Sequence, residues 1–168
     1  DTAPEYFGIK SEERFGEALA DKKVIISTKS DESDGSALRK DLEASLKRLR
    51  RDKIDVFHIW YVLTLEEYRQ RCKQGAVAAA FKAKEEGLVG DVFLSTHMDG
   101  QSIRQVIEEN IFAGVTMGFS AINAPFRMTA IHAAKKNQTA IVCMNPLGGG
   151  QIPKNAERFN SLKGPDDR

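Results

Sequence analysis

The 168-residue chain has only two cysteines, Cys72 and Cys143, and they form no spacing that suggests zinc or redox chemistry. Both are expected to stay reduced, which favours a cytoplasmic setting, and no metal site is expected. No apolar run approaches membrane length and no signal-peptide pattern is present, so no membrane partner is expected. Charge of one sign is also missing. The 25 Lys and Arg nearly balance the 24 Asp and Glu, leaving +1, and such a field does not argue for nucleic acid or anionic lipid. What remains is a soluble, globular chain long enough for one core, read as a single domain over 1–168.

The opening stretch, Asp1-Thr2-Ala3-Pro4-Glu5-Tyr6, sets an acid at the end of a strand and a tyrosine five residues on. Pro4 pushes Ala3 into extended geometry and interrupts any ladder, so the stretch reads as the mouth of a loop holding a phenol. Residues 11–19 form a short helix that Ser11 can cap, with glutamates in its first turn. The β-branched run from Val24 to Thr28, ending in Lys29, has the length and composition of a buried strand. From 36 to 50 the period changes. Leu38, Leu42, Leu46 and Leu49 share one face of an amphipathic helix.

Further strands are expected at 54–62, 91–97, 114–120 and 139–144, separated by helices at 65–72, 76–85, 101–110 and 128–136. Gly87 is placed as a helix C-cap. The tail is polar, with a helical turn or two at 157–162. Strand and helix thus alternate five times, which suits βα units winding right-handedly into a parallel sheet. An open doubly wound sheet and a closed eight-stranded barrel both fit that pattern. The open sheet would need Gly-x-Gly-x-x-Gly straight after its first strand, and none is there. Polar residues recur instead at strand C-termini: Lys29, the His58/Trp60 pair, Ser95-Thr96-His97 and Asn145. In a barrel those ends share one mouth, so a (β/α)8 TIM barrel is the expected fold.

Taken together these residues resemble the aldo-keto reductase family. Its Asp-x-x-x-x-Tyr is matched by Asp1 and Tyr6, running on into Ser11-Glu12-Glu13, and its strand-end lysine by Lys29 in Ile-Ile-Ser-Thr-Lys. Residues Lys84 to Val89 and Leu94 to His97 resemble the family's fifth strand and preceding helix, and Met144-Asn145-Pro146-Leu147-Gly148 its cofactor loop. The resemblance implies hydride transfer from a nicotinamide to a small carbonyl substrate, with Tyr6 as proton donor, Lys29 as the neighbouring cation and Asp1 holding Lys29. A free phenol titrates near pKa ~10, and a cation beside it favours the ionised form.

The family's fourth member is a histidine five residues after an aspartate. Counting from Asp55 gives Trp60, and His58 lies two positions earlier, on the same face but one pleat deeper. His58 is either a catalytic residue brought in by a register shift or a structural histidine of the barrel lining. For the cofactor the resemblance implies Ser95 and Thr96 on the carboxamide, with Thr116 and Met144 in the slots of a glutamine and a stacking aromatic. Asn145, Leu147, Gly148 and Gly149 would form a loop that closely approaches the pyrophosphate. NADP(H) is the expected cofactor ahead of NAD(H). The family's first and eighth strands are missing from these residues, so an incomplete barrel is expected. The alternative function is a nucleotide- or partner-binding barrel with little turnover.

Overall fold

In the computed structural model, residues 1–8 and 10–162 are described. Of the single domain expected over 1–168, residues 9 and 163–168 therefore lie outside the described residues. The elements run α1 (Lys10–Ala18), β1 (Ser27–Ser30), α2 (Gly35–Leu49), β2 (Ile54–Val62), α3 (Leu65–Lys73), α4 (Ala76–Glu85), β3 (Val89–Thr96), α5 (Gly100–Glu108), β4 (Gly114–Gly118), α6 (Met128–Asn137), β5 (Ala140–Met144) and α7 (Gln151–Lys154). Short 3-10 turns cover Ala124–Phe126 and Ala156–Leu162.

All five strands are parallel and lie side by side in chain order, β1-β2-β3-β4-β5. That order has no reversal point, so it departs from the doubly wound alternative, whose strand order turns back on itself. Every strand C-terminus consequently points to the same edge of the sheet. Thr2 N also donates to Ser27 O at 2.9 Å, so the chain's first residues lie beside β1 without forming an assigned strand.

Register divides the sheet into two unlike faces. Phe57, Ile59, Val92, Leu94, Val115 and Met117 alternate onto the helix-covered face, where they join Leu38, Leu42, Leu46, Leu49 and Ile103 in one core. Lys29, His58, Phe93 and Gly114 lie level with one another on the other face, and Ser95 and Thr116 form the next tier. The helix-covered face is mainly apolar, with Thr28 and Thr96 hydrogen-bonded within it, and the other face holds Lys29, His58, Ser95 and Thr116.

The helix signals explain most boundaries. Asp34 caps α2 by accepting from Ser36 N and Ala37 N, Thr64 caps α3, and Asp99 caps α5. Gly87 follows α4 with φ 82°, as its C-cap role requires. Two local expectations are corrected. Val24 and Ile25 do not lie in a buried strand. They are 42% and 78% exposed, and pairing begins only at Ser27, because Asp55 Oδ2 takes the Ile26 N–H at 2.8 Å in place of a ladder partner. Ser11 does not cap α1; it lies inside the helix with its hydroxyl 2.7 Å from that of Thr2.

Helix α1 packs so close to α2 that a Cβ on Gly16 would lie 2.2 Å from Arg48 O and 2.9 Å from Leu49 C, both backbone atoms. Gly16→Ala should therefore destabilise the protein by about 1–3 kcal/mol, the usual range for overpacking. Urea denaturation measures this, and an unchanged midpoint would contradict the close approach.

Candidate active site

The turn over residues 3–8 is held by burial and by its own backbone. Ala3 is fully buried, Tyr6 N donates back to Ala3 O at 3.2 Å, and Phe7 and Gly8 both adopt positive φ before α1 begins. Beneath it lies a polar network that sequence reasoning missed. Glu12 is fully buried, accepting from Thr28 Oγ1 at 2.6 Å and from Arg48 Nε at 2.6 Å, while Arg48 also donates to Ser45 Oγ at 3.1 Å. Three elements, α1, β1 and α2, are thus joined through one carboxylate directly behind Lys29. A buried pair of this kind keeps its place because removing either partner strands a charge. The signal was obscured because Glu12 also suits a first helical turn, where an exposed acid is ordinary.

At the C-terminal end of β1, Lys29 is 5% exposed. Its Nζ donates to Asp1 Oδ2 at 2.8 Å and to Tyr6 Oη at 3.3 Å. Asp1 is fixed in turn by Ser27 Oγ, which donates to Oδ1 at 2.5 Å. Burial pulls the Lys29 ammonium below the usual lysine range, opposed by the adjacent Tyr6 hydroxyl. Tyr6 itself is 38% exposed, so the phenol reaches both the ammonium and solvent. Trp60 completes the group. Its ring meets Tyr6 edge-on, at 5.9 Å and 87°, and its centroid lies 5.8 Å from Lys29 Nζ. Lys29 and Trp60 also line a cavity of about 110 Å³ with Pro4, Glu5, Asp31 and Asp41. A cavity of about 630 Å³, lined by Arg39, Leu46, Arg51, Asp52 and Leu88, lies at the opposite ends of the strands and shares none of these residues.

His58 is in step with Lys29 across β1 and β2, and the register does not shift there. It shifts further on, between Ile59 and Val62, where two residues of β2 oppose one of β3. The bulge carries Trp60 and Tyr61, the latter at φ 59°. His58 is 5% exposed, with Nδ1 3.3 Å from Thr28 O and Nε2 3.0 Å from Thr116 Oγ1. A carbonyl only accepts, so Nδ1 carries the proton and Nε2 accepts from Thr116. Burial, aided by Lys29 and opposed by the Thr28 carbonyl, pushes the ring down to about 4, so it is neutral at pH 7. Both nitrogens are occupied, and Trp60, not His58, stands beside Tyr6.

The residues suggested for a cofactor are spread unevenly. Ser95 is 4% exposed, and its hydroxyl has no partner among the described residues. It sits level with Thr116, whose hydroxyl is engaged by His58. Thr96 was expected beside Ser95 on the carboxamide, but it lies on the opposite face. It is fully buried, donating to Val62 O at 2.7 Å and accepting from Met98 N at 3.0 Å. Alternation along a strand is the reason: neighbours cannot share a face. Met144 ends β5 and is half-buried. In the loop after it, Asn145, Gly148, Gly149 and Gly150 all have positive φ. Gly148 N, Gly150 N and Gln151 N are used inside the loop, whereas the N–H groups of Leu147 and Gly149 have no backbone partner among the described residues. A Cβ on Gly148 would lie 2.6 Å from Ile122 Cδ1, so the loop packs closely on the one after β4. A free serine hydroxyl and two free backbone donors fit a carboxamide and an anionic group respectively.

A model of the aldo/keto reductase family matches residues 1–168. Similar solved structures include a Pseudomonas aeruginosa protein described as an aldo-keto reductase, 24% identical, covering 96% of this chain and 65% of that one at TM-score 0.77. An aldo-keto reductase of Bacillus halodurans in its holo form is 17% identical, covering 89% of this chain and 53% of that one at TM-score 0.75. A glycerol dehydrogenase of Gluconobacter oxydans is 22% identical, covering 100% and 54% at TM-score 0.73. At such identities the likeness shows the fold, and the chain spans 53–65% of the length of these structures. No curated protein matches the sequence.

His58 provides a test of the site's electrostatics. An unfolded histidine takes up its proton near pH ~6.5, whereas the folded ring does so only near 4. Between those values the unfolded chain binds more protons, so stability falls as pH falls through the window, by roughly 3 kcal/mol from this group. His58→Gln should flatten the fall in unfolding free energy between pH 7 and pH 4. An identical pH profile in parent and variant would contradict a buried neutral imidazole.

Proposed function

The chain belongs to the aldo/keto reductase family, and on that premise we propose that it is an oxidoreductase reducing a small aldehyde or ketone by hydride transfer, with Tyr6 as proton donor. The observation carrying this reading is the 3.3 Å contact between Tyr6 Oη and Lys29 Nζ, with Asp1 2.8 Å from the same ammonium. Tyr6 gives its proton to the carbonyl oxygen. The phenolate that remains is stabilised by the Lys29 charge beside it, in a setting too buried for water to screen the pair fully. Asp1, tied to Ser27, keeps the ammonium pointed at the phenol. The partly exposed Tyr6 ring leaves the hydroxyl accessible to a carbonyl arriving from solvent.

When bound, a nicotinamide supplies the hydride to the carbonyl carbon. Ser95 would hold the carboxamide with its unpartnered hydroxyl, and Met144 would lie against the ring. Asn145, Leu147, Gly148 and Gly149 would line the pyrophosphate, where the N–H groups of Leu147 and Gly149 have no backbone partner among the described residues. Thr116 contributes less than a glutamine would, because His58 already takes its hydroxyl. Thr96 serves the site indirectly by fixing the end of β2. NADPH is proposed ahead of NADH on the family resemblance, and the five parallel strands are read as an arc of a (β/α)8 barrel.

Trp60 supports a second reading. An indole beside Tyr6 replaces the group that would give the carbonyl a second hydrogen bond, and a barrel that binds cofactor with little turnover would follow. NADPH oxidation over an aldehyde panel separates the two. Under the leading reading the full chain consumes NADPH, and Tyr6→Phe lowers kcat by about 10²-fold or more with cofactor affinity unchanged. Cofactor binding without oxidation would favour the binding barrel, and full activity in Tyr6→Phe would remove the tyrosine from the chemistry.

A further inference from the structure

Among the described residues the bulge in β2 is the one place in the sheet where the backbone departs from its register, and it lies against the candidate site. Tyr61 occupies the left-handed region there at φ 59°, a conformation that an aromatic L-residue adopts only under constraint. The carbonyl of Trp60 is turned out of the ladder, and Arg71 of α3 meets it, Nη1 donating at 2.5 Å. Arg71 is 7% exposed and forms no ion pair among the described residues. Burial lowers its affinity for the proton, opposed by the charges of Asp31, Glu67 and Glu32. Among the described residues this carbonyl is the one direct partner of the buried guanidinium. A charged donor makes a stronger, shorter bond than an amide would, which suits a site where strained backbone must be held. On the next residues, Thr96 Oγ1 and His97 N both donate to Val62 O, closing the bulge from the other strand.

Trp60 keeps the strand's alternation, on the face of His58 at the level of Ser95, and Tyr61 is the extra residue that follows it. The indole stands edge-to-face with Tyr6 and is followed by Tyr61 at 6.1 Å and His97 at 6.2 Å, an aromatic row along the mouth whose first backbone carbonyl is the one Arg71 holds. We propose that Arg71 is a positioning residue: by holding the Trp60–Tyr61 bulge it fixes the indole as the wall of the carbonyl pocket, which thereby selects flat, conjugated aldehydes over saturated ones of equal size. A carbonyl bonded to Tyr6 Oη has the indole as its neighbour. A planar ring can lie on that surface with close contact throughout, whereas a puckered ring touches it at a few atoms. The substrate class rests on the reductase reading above; the positioning of Trp60 does not.

Two aldehydes of nearly equal size, benzaldehyde and cyclohexanecarbaldehyde, test the selection on the full chain with NADPH. The readout is how their kcat/KM ratio changes between parent and variants, since intrinsic reactivity cancels. In Arg71→Met and in Trp60→Leu the preference for benzaldehyde should drop about threefold to tenfold, with far-UV circular dichroism unchanged. Arg71→Lys, which keeps one charged donor without the planar fork, should fall between, and it replaces Arg71→Met if that variant does not fold. An unaltered ratio in a folded Arg71 variant overturns the proposal. A second readout needs no turnover. Trp60 is the only tryptophan of these 168 residues, and its emission is isolated as the difference from Trp60→Phe. Benzamide, planar and not reducible, should quench it in the parent and much less in Arg71→Met. Should the parent oxidise no NADPH, that difference would uphold the positioning while the reductase reading fails, and equal quenching in both proteins would refute it.

Discussion

A lysine ammonium buried at the end of a strand constrains this molecule more than any other group. Lys29 is surrounded on the polar face of the sheet and needs a counter-charge and acceptors to stay ionised there. Asp1 and Tyr6 meet that need, and both come from a segment that must fold back across β1 to do so. The fold-back in turn requires the buried turn at Ala3, the two left-handed residues at Phe7 and Gly8, and the docking of α1 through Glu12 onto Thr28 and Arg48. Gly16 is part of the same requirement, since only hydrogen in place of Cβ lets α1 approach the backbone of α2. The helices behind the sheet and the reactive group in front of it are one connected set of constraints.

Much of this was legible in the residues. The leucine stripe of α2 and Gly87 after α4 are local signals, and those elements formed where the signals stood. Asp1, Tyr6 and Lys29 could be singled out together because their order and spacing resemble the family's motif, whereas an acid, a phenol or a strand-end amine alone is ordinary. What local patterns could not give is anything decided across strands. Val24 and Ile25 look like strand residues, yet a side chain of the next strand, Asp55, takes the hydrogen bond that would have extended β1. Glu12 reads as a solvated first-turn acid and is instead the buried centre of a network. At the β2 bulge the Trp60 carbonyl is met by Arg71, eleven positions further on and in another element, so no window on β2 alone reveals that contact.

The two faces of the sheet also explain why a wide departure in sequence leaves the architecture recognisable. The helix-covered face is filled mainly by apolar residues, for which many combinations of suitable volume serve. The polar face tolerates less, and there the chain both keeps and changes what the family resemblance implies. Asp1, Tyr6 and Lys29 stand together; His58 is withdrawn one pleat, neutral and bonded on both nitrogens; Trp60 takes the forward position. In the proposed reaction such a site offers Tyr6 as the proton donor with an aromatic neighbour, so that reaction rests on the coupling between phenol and ammonium.

That coupling can be measured directly by a double-mutant cycle on the hydride-transfer rate, using Tyr6→Phe, Lys29→Met and the two combined. Groups acting as one unit are strongly non-additive, so the double variant should be little slower than the worse single variant. Rate losses that multiply would mean that Tyr6 and Lys29 act independently, and would contradict a proton transfer that depends on their contact.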